Sequence, residues 1–516
     1  MKKGQQSLDS AKLLEALKAR SEFCGTGWEM LFDSSGYLID GAIDETTNEP
    51  DHLHPLAEFY EDYAKRFWGL GHSVFTPYDA CVPVVSANGV AEAFREVGQE
   101  KRLPTFKVAG AREKYRLDPR AQTVGILTAG GNAPGLNMVI DSIVKRHSLL
   151  ATMAGAEQNA DGSIQGMRFW GYLGGYVGLI SKSRIELNVR VTDKVSLAPG
   201  SVLKIQRGET PPEQIANAVK RDKLDILYVI GGNGTITAAN LLCERLGDVR
   251  GSHGQLVRVV AAPKTMDNDV NFSDVTFGFR TSVENAVAII QRIHAEAEAC
   301  ERIGVIELFG AASGFVALHA SYASGEVDYV LIPEALIGSE EEKSAEFDRA
   351  VDRLATRFQK RRHAILVVAE GATAALTKDV GSFTHGAHAA KQAGFDSMVK
   401  LLTERLNKRF EPAKPPPVFT SQPKHLIRSS APNSEDIDLC KQTGKLMVDA
   451  ALAGMSRCVI CLWGGRFVLV PMGAATTSLR RVDVGGYYFL SMMEKYLLKD
   501  RYDDWQLDPS MIGILG

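Results

Sequence analysis

Five short apolar runs set the strongest constraint on how this 516-residue chain folds. They are Val124 to Leu127, Ile226 to Ile230 (ILYVI), Val259 to Ala262 (VVAA), Gly304 to Leu308 (GVIEL) and Ala364 to Ala369 (AILVVA). Most open into a polar or glycine-containing loop and then a helical run, as the first does ahead of Asn137 to Arg146. A strand with one face in water alternates apolar and polar residues, whereas an uninterrupted apolar strand needs cover on both faces. The pattern therefore predicts an α/β protein with a parallel sheet under helices on both sides. Ligands of such sheets lie beyond the carboxyl ends of the strands, and many of the chain's 48 glycines sit just there. A further apolar run, Cys458 to Trp463 (CVICLW), follows a helical stretch over Leu439 to Gly454.

Ahead of Thr123 the rhythm is absent. Residues 1–119 read as a separate N-terminal extension, with helical stretches at Ser10 to Ala19, Leu56 to Phe67 and Ala91 to Val97. Five prolines in EPAKPPPVFTSQP (Glu411 to Pro423) exclude a helix and predict an exposed loop or linker. Near-balanced charge, 59 Lys+Arg against 62 Asp+Glu, argues against a nucleic-acid partner. No apolar run approaches the roughly 20 residues that span a bilayer, so no membrane partner is expected. The start, MKKGQQSLDSAKLLEALKAR, lacks the apolar stretch of a signal peptide. Seven cysteines, few and odd in number, suit a reducing compartment. A cytoplasmic protein is the expectation. Cys458 and Cys461 form a CxxC inside an apolar strand and read as core thiols, and His319 reads as a packed helix residue.

Four sets of loops carry candidate chemistry. In LTAGGNAPGLN, glycines between strand and helix let backbone N–H groups approach a phosphate, although a plain tight turn would use them too. GGNGT (Gly231 to Thr235) repeats that design with a hydroxyl. In PKTMDND (Pro263 to Asp269), two carboxylates two residues apart follow an apolar strand. One can accept a proton from a substrate hydroxyl while the other holds a metal, with Lys264 offsetting phosphoryl charge. An Asx-rich turn with solvated carboxylates is the plainer alternative. Two basic loops follow: SVLKIQRG with Lys204 and Arg207, and KHLIRSS with His425 and Arg428.

In this order the motifs resemble those of the phosphofructokinase family over about Thr123 to Gly473. The matching run is GGNAPGLN, GYLGGY, GSVLKIQRG, GGNGT, PKTMDND, TFGFRT, ERIGVIELFGAASGF, VVAEGA and IRSSAPNSED. PKTMDND followed by TFGFRT discriminates best, and IRSSAPNSEDIDLC with ALAGMS looks most like the long-chain branch of plants and trypanosomatids. The resemblance implies two similar-sized, Rossmann-like three-layer α/β domains with a cleft between them. The expected domains are an extension at 1–119 (oligomer contact or regulatory), a nucleotide-binding domain at 120–270 recruiting about 365–420, a sugar-phosphate domain at 271–475, and a C-terminal tail at 476–516 packing on the core.

The resemblance also implies roles. Asp267 would take the proton of the acceptor hydroxyl, Asp269 would help hold Mg²⁺, and Thr265 would bind the sugar phosphate. Gly131 would give a backbone N–H to the transferring phosphate, and Arg207 would bridge donor phosphates. Gly232, Asn233, Gly234, Thr235 and Lys204 would serve the nucleotide. Arg428, Gly310 and Lys264 would serve the sugar phosphate, and Glu370 would bond sugar hydroxyls. Arg302 would reach a neighbouring subunit's sugar phosphate, which implies at least a homodimer. Gly234 leaves room for the α-phosphate of ATP, where an Asp goes with pyrophosphate, while Lys264 occurs in pyrophosphate enzymes and in the long-chain ATP-using branch alike.

Two departures bear on the site. The family's metal-linked Asp is Asn233, which removes a charge next to Mg²⁺. The Arg of a Met-Gly-Arg loop is Ala311, a loss worth about 1.5–3 kcal/mol of charge-assisted contact. Ile437 also stands where short-chain enzymes carry a basic residue. Three readings follow: a 6-phosphofructokinase using Mg-ATP, the same chemistry on another sugar phosphate or polyol or with pyrophosphate, and a weakly active regulatory paralogue.

Overall fold

The computed structural model describes residues 105–377, 388–486 and 489–494 apart from 207 and 209, and ahead of them 44–45, 52–53, 76 and 80–83. The helices expected at 10–19, 56–67 and 91–97 lie outside the described residues, as does Arg207.

The strands of the two main sheets are β1 (Cys81–Pro83), β2 (Thr105–Val108), β3 (Gln122–Thr128), β4 (Met167–Tyr172), β5 (Arg184–Leu187), β6 (Ile226–Gly231), β7 (Arg258–Pro263), β8 (Ile303–Leu308), β9 (Tyr329–Leu331), β10 (Ala364–Ala369), β11 (Val418–Ser421), β12 (Cys458–Trp463) and β13 (Arg466–Pro471). The helices that bear on the site are α1 (Leu136–Met153), α2 (Asn233–Leu246), α3 (Phe315–Ser324), α4 (Glu370–Thr377) and α5 (Ser434–Leu452). Every expected apolar run is a strand.

The described residues form two compact units. One holds those up to Thr281 together with Arg428–Arg480, and the other holds Ser282–Ile427 and those from Arg481 onward. In the first, nine strands run in the order β1-β2-β13-β12-β7-β6-β3-β4-β5. The middle five, β12 to β4, are parallel, and antiparallel strands finish both edges. Alternate residues of the same strands enter two separate cores. Val124, Ile126, Ile226, Tyr228, Ile230, Val260 and Cys458 join one; Leu127, Leu227, Val229, Val259, Ala261, Val459 and Cys461 join the other. Each face therefore has its own apolar cover, which is why the runs show no polar alternation. Cys458 and Cys461 lie on opposite faces of β12 and form no disulfide.

On one face α5 packs along α1. Gly444 permits the close approach, since a Cβ there would lie 2.6 Å from that of Ser142. Arg146 of α1 grips the buried Asp449 of α5 through both Nη2 contacts, at 2.8 and 3.1 Å. From β3 the chain passes through α1 to β4 on one side and then returns to β6 on the other. The β3–β6 boundary is thus a topological switch point, where the loops at the carboxyl ends diverge and leave a crevice.

The second unit is a four-stranded parallel sheet in the order β9-β10-β8-β11. Its smaller sheet corrects the expectation of two similar-sized domains. The proline-rich segment is corrected too. Its apolar end forms β11, hydrogen-bonded beside β8 at the sheet edge, where prolines that donate no N–H are tolerated just ahead of the strand.

The domain boundaries also shift. Residues 428–475, expected with the second domain, build the first unit because β12 pairs with β7 and α5 lies on α1. Residues 365–420 stay in the second unit. The extension is not separate to its end: β2 pairs with β13, and Tyr115 and Leu117 are fully buried in the first core. No helix among the described residues is long and apolar enough to cross a membrane.

Candidate active site

Three loops meet at the carboxyl ends of β3, β6 and β7. After β3 the chain turns through Gly130 and Gly135, both with φ above 90°, values open to glycine but strained for other residues. Ala129 N donates to Ile230 O at 3.0 Å, so this loop starts against β6. Lys264, buried at the end of β7, donates from Nζ to Gly131 O at 2.6 Å. A Cβ on Gly130 would lie 3.2 Å from Lys264 Nζ and 3.7 Å from Thr235 Oγ1, and one on Gly232 would lie 3.3 Å from Lys264 O. Gly131, Gly232, Thr235 and Lys264 are therefore neighbours. The N-termini of α1 and α2 carry no side-chain cap, leaving N–H groups and positive dipole ends at this edge of the sheet. Tyr176, from GYLGGY, donates its hydroxyl to Thr235 O at 2.9 Å and steadies the first turn of α2.

The PKTMDND loop is held by its middle residue. Asn268 takes φ 56°, a left-handed conformation that Asn tolerates better than most. It donates from Nδ2 to Asp274 O at 3.2 Å and accepts Thr276 N at 2.9 Å. Asp267 N donates to Thr265 Oγ1 at 3.1 Å. Asn233 Nδ2 donates to Asp269 O at 3.3 Å, which joins GGNGT to PKTMDND. The Oδ1 atoms of Asn233 and Asp269 are both buried with no hydrogen-bond partner. Burial holds the Asp269 carboxyl above the usual carboxylate range, against the opposing pull of the Thr265 hydroxyl, its own main-chain N–H, Lys264 and Asn233.

Lys204 lies exposed on a loop tied to the end of β3, where Thr128 Oγ1 donates to its carbonyl at 3.0 Å. Asn132 Nδ2 donates to Ser429 Oγ at 3.4 Å, so the residue after Arg428 meets the first glycine loop. TFGFRT is fastened by a carboxylate that the motifs alone did not single out. Asp436, fully buried in the first turn of α5, accepts Gly278 N at 2.9 Å, Thr281 N at 2.8 Å and the Thr281 hydroxyl.

In the second unit, the loops after β8 and β10 meet. Gly371 N donates to Gly310 O at 2.9 Å, and a Cβ on Gly371 would lie 2.4 Å from Ala311 O. Glu370 therefore stands beside Phe309-Gly310-Ala311. Two buried carboxylates that sequence reasoning passed over support this end. Glu307 accepts Thr373 Oγ1 and Gln422 Nε2, and Glu334 accepts Gly314 N and Val482 N. Burial raises the pKa of both. Arg302 is not brought to this cluster. It precedes β8 at the opposite end of the strand and pairs with Glu296 at 3.7 Å. His319 is half-buried in α3 against Phe315.

Residues 123–451 match the family model described as Phosphofructokinase. The chain is 31% identical over 398 residues to the ATP-dependent 6-phosphofructokinase of Trypanosoma brucei brucei, covering 75% of each chain. It is 31% identical over 467 residues to the ATP-dependent 6-phosphofructokinase of Borreliella burgdorferi, covering 88% of this chain and 96% of the relative. Among solved structures it is similar to Pichia pastoris phosphofructokinase in the T-state, with TM-score 0.56 and 20% identity over 74% of this chain. It spans 40% of that longer yeast chain, and the likeness concerns the fold.

Proposed function

This chain belongs to the phosphofructokinase family, and on that premise we propose that it moves the γ-phosphoryl group of ATP to the 1-hydroxyl of fructose 6-phosphate. The observation that carries this reading is the convergence of Gly131, Thr235, Lys264, Asn233 and Asp269 in one crevice. Phosphoryl transfer through a loose transition state asks mainly for positioning and dispersed positive charge. Gly131, Gly232 and the α2 N-terminus offer N–H groups to phosphate oxygens. Lys264, Lys204 and Arg207 supply the charge. Asp267 takes the acceptor's proton as the new P–O bond forms. Thr265 and Arg428 of the first unit hold the sugar phosphate.

The residues also fit Mg²⁺. Asp269 Oδ1 and Asn233 Oδ1 are hard oxygen donors, buried and without hydrogen-bond partners. Among the described residues no three His, Cys, Asp or Glu cluster as metal ligands. The Asp269 and Asn233 oxygens suit an ion held by one or two protein oxygens, with phosphates and water completing its shell. When bound it neutralises charge on the transferring phosphates.

ATP is favoured over pyrophosphate by Gly234, where an added Cβ would meet nothing within 4 Å, so space rather than packing explains the glycine. Ala311 favours a second reading for the acceptor alone, another sugar phosphate or a polyol. Arg302 serves the site of a second copy in a homo-oligomer. Cys243, Cys300, Cys440, Cys458 and Cys461 form no disulfide, which suits the reducing cytoplasm in which we place the enzyme.

The test is ADP release from Mg-ATP with fructose 6-phosphate, with the product identified as the 1,6-bisphosphate. Asp267→Ala should lower kcat at least about 100-fold and leave ATP binding intact. Turnover with other acceptors but not this one would refute the acceptor, and turnover with pyrophosphate only would refute the donor.

A further inference from the structure

The loop that carries both candidate catalytic carboxylates is held by a residue that follows residues 123–451, the stretch matched by the family model. Beyond the β12–β13 hairpin, Leu479 bridges Val270 in antiparallel register. The next residue, Arg480, donates its main-chain N–H to Asp269 O at 2.9 Å. Its guanidinium Nη1 donates to Asp274 O at 3.0 Å. Both carbonyls are shared with side chains of the crevice, Asp269 O with Asn233 Nδ2 and Asp274 O with Asn268 Nδ2. One residue thus bonds the two ends of the turn 269–274. That turn needs support, because Asn268 and Phe272 hold positive φ values of 56° and 55°, a region disfavoured for residues with a Cβ. A guanidinium suits the task, since its rigid fork donates without needing a counter-carboxylate.

From these contacts we propose that Arg480 is a positioning residue for phosphoryl transfer. It fixes the main chain on both sides of the turn, so that Asp267 and Asp269 keep their directions and Asp269 stays joined to Asn233. The proposal rests on the kinase assignment above. It separates two effects that a general loss of stability would not: chemistry and metal retention fall, while acceptor affinity persists.

Wild type, Arg480→Met and Arg480→Lys are compared in three ways. These are steady-state kinetics with fructose 6-phosphate and Mg-ATP, paramagnetic resonance titration of Mn²⁺ with a non-hydrolysable ATP analogue, and thermal unfolding. Arg480→Met should lower kcat about 10- to 100-fold and weaken Mn²⁺ retention about 10-fold. The KM for fructose 6-phosphate should stay within about twofold. Arg480→Lys, which keeps the charge and a donor but loses the rigid planar fork that aims it at Asp274 O, should fall between. A folded Arg480→Met protein with kcat and Mn²⁺ retention within about twofold of wild type overturns the proposal. So does a raised KM for fructose 6-phosphate at unchanged kcat. If Arg480→Met does not fold, intermediate values for Arg480→Lys support the proposal and wild-type values overturn it. Mn²⁺ retention is read without acceptor. A wild type inert toward fructose 6-phosphate would therefore sink the functional assignment, while Mn²⁺ alone decided the role of Arg480.

Discussion

Gly234→Asp separates donor recognition from folding. Gly234 is exposed, the second residue of α2, and a Cβ there would meet no protein atom within 4 Å. The substitution therefore has no steric cost in the protein itself. A carboxylate in the first turn of a helix gains about 0.3–1 kcal/mol from the dipole, and replacing glycine gains a few tenths more. Stability should hold or rise by up to about 1 kcal/mol. The donor fares differently. A carboxylate about 4 Å from a phosphate repels it by about 1 kcal/mol with water-like screening and about 4 kcal/mol at an effective dielectric of about 20. The KM for ATP should therefore rise about 5- to 1,000-fold, while pyrophosphate, which presents no third phosphate, is spared. Gly234→Ala, steric but uncharged, should show a smaller rise. Urea unfolding and kinetics with both donors read the two sides. A folded Gly234→Asp protein with its ATP KM within about twofold of wild type would refute the reasoning.

Further outcomes concern stability and assembly. His147 is fully buried on α1, with Nε2 at 2.9 Å from the Tyr228 hydroxyl, and burial holds its pKa down to about 3. The unfolded chain takes up this proton near pH 6.5, so the stability it carries is intact above that pH and is lost as pH falls toward 3, by about 2 kcal/mol at pH 5. Urea unfolding at pH 7 and 5 should show a flatter dependence in His147→Gln, and an unchanged slope would contradict this. Asp436→Ala orphans the buried main-chain donors of Gly278 and Thr281 and should cost about 2–6 kcal/mol at about 1–3 per donor; a cost below about 0.5 kcal/mol by urea unfolding would count against the fastening role. Arg302 makes a long surface pair with Glu296, so Arg302→Ala should change stability by less than about 0.5 kcal/mol yet raise the KM for fructose 6-phosphate about 10-fold or more. An unchanged KM, or light scattering that finds only monomer in an active preparation, would contradict its proposed role in a second copy's site.

The loops proposed to bind the donor could be located in the sequence because their residues are consecutive. GGNAPGLN, GGNGT and PKTMDND each place their glycines, hydroxyl or carboxylates within one strand-to-helix loop, so knowing that the strand exists locates the chemistry. The supporting carboxylates were not legible. Asp436 meets Gly278 across 158 positions, and Glu334 meets Val482 across 148. Nothing local distinguishes such a residue from a solvated surface acid. Glu307 gave a signal that went unused, a carboxylate inside an otherwise apolar strand. Arg302 shows the converse: its place before β8, at the opposite end of the strand from Gly310, was plain in the sequence, whereas its surface pairing with Glu296 was not.

Local spacing and burial pattern belong to the chain itself. Uninterrupted apolar runs demanded two covered faces, and the glycines after them marked the ligand edge, because both follow from how a short segment meets water and from which φ values it can take. Partnership between distant segments belongs to the tertiary structure. That β12 joins β7, that β11 rises out of a proline-rich stretch, and that Arg480 braces the carboxylate loop are decided when the sheet closes. Hydrogen-bonding capacity is the same at many positions along a chain, and only folding selects which donor finds which carbonyl.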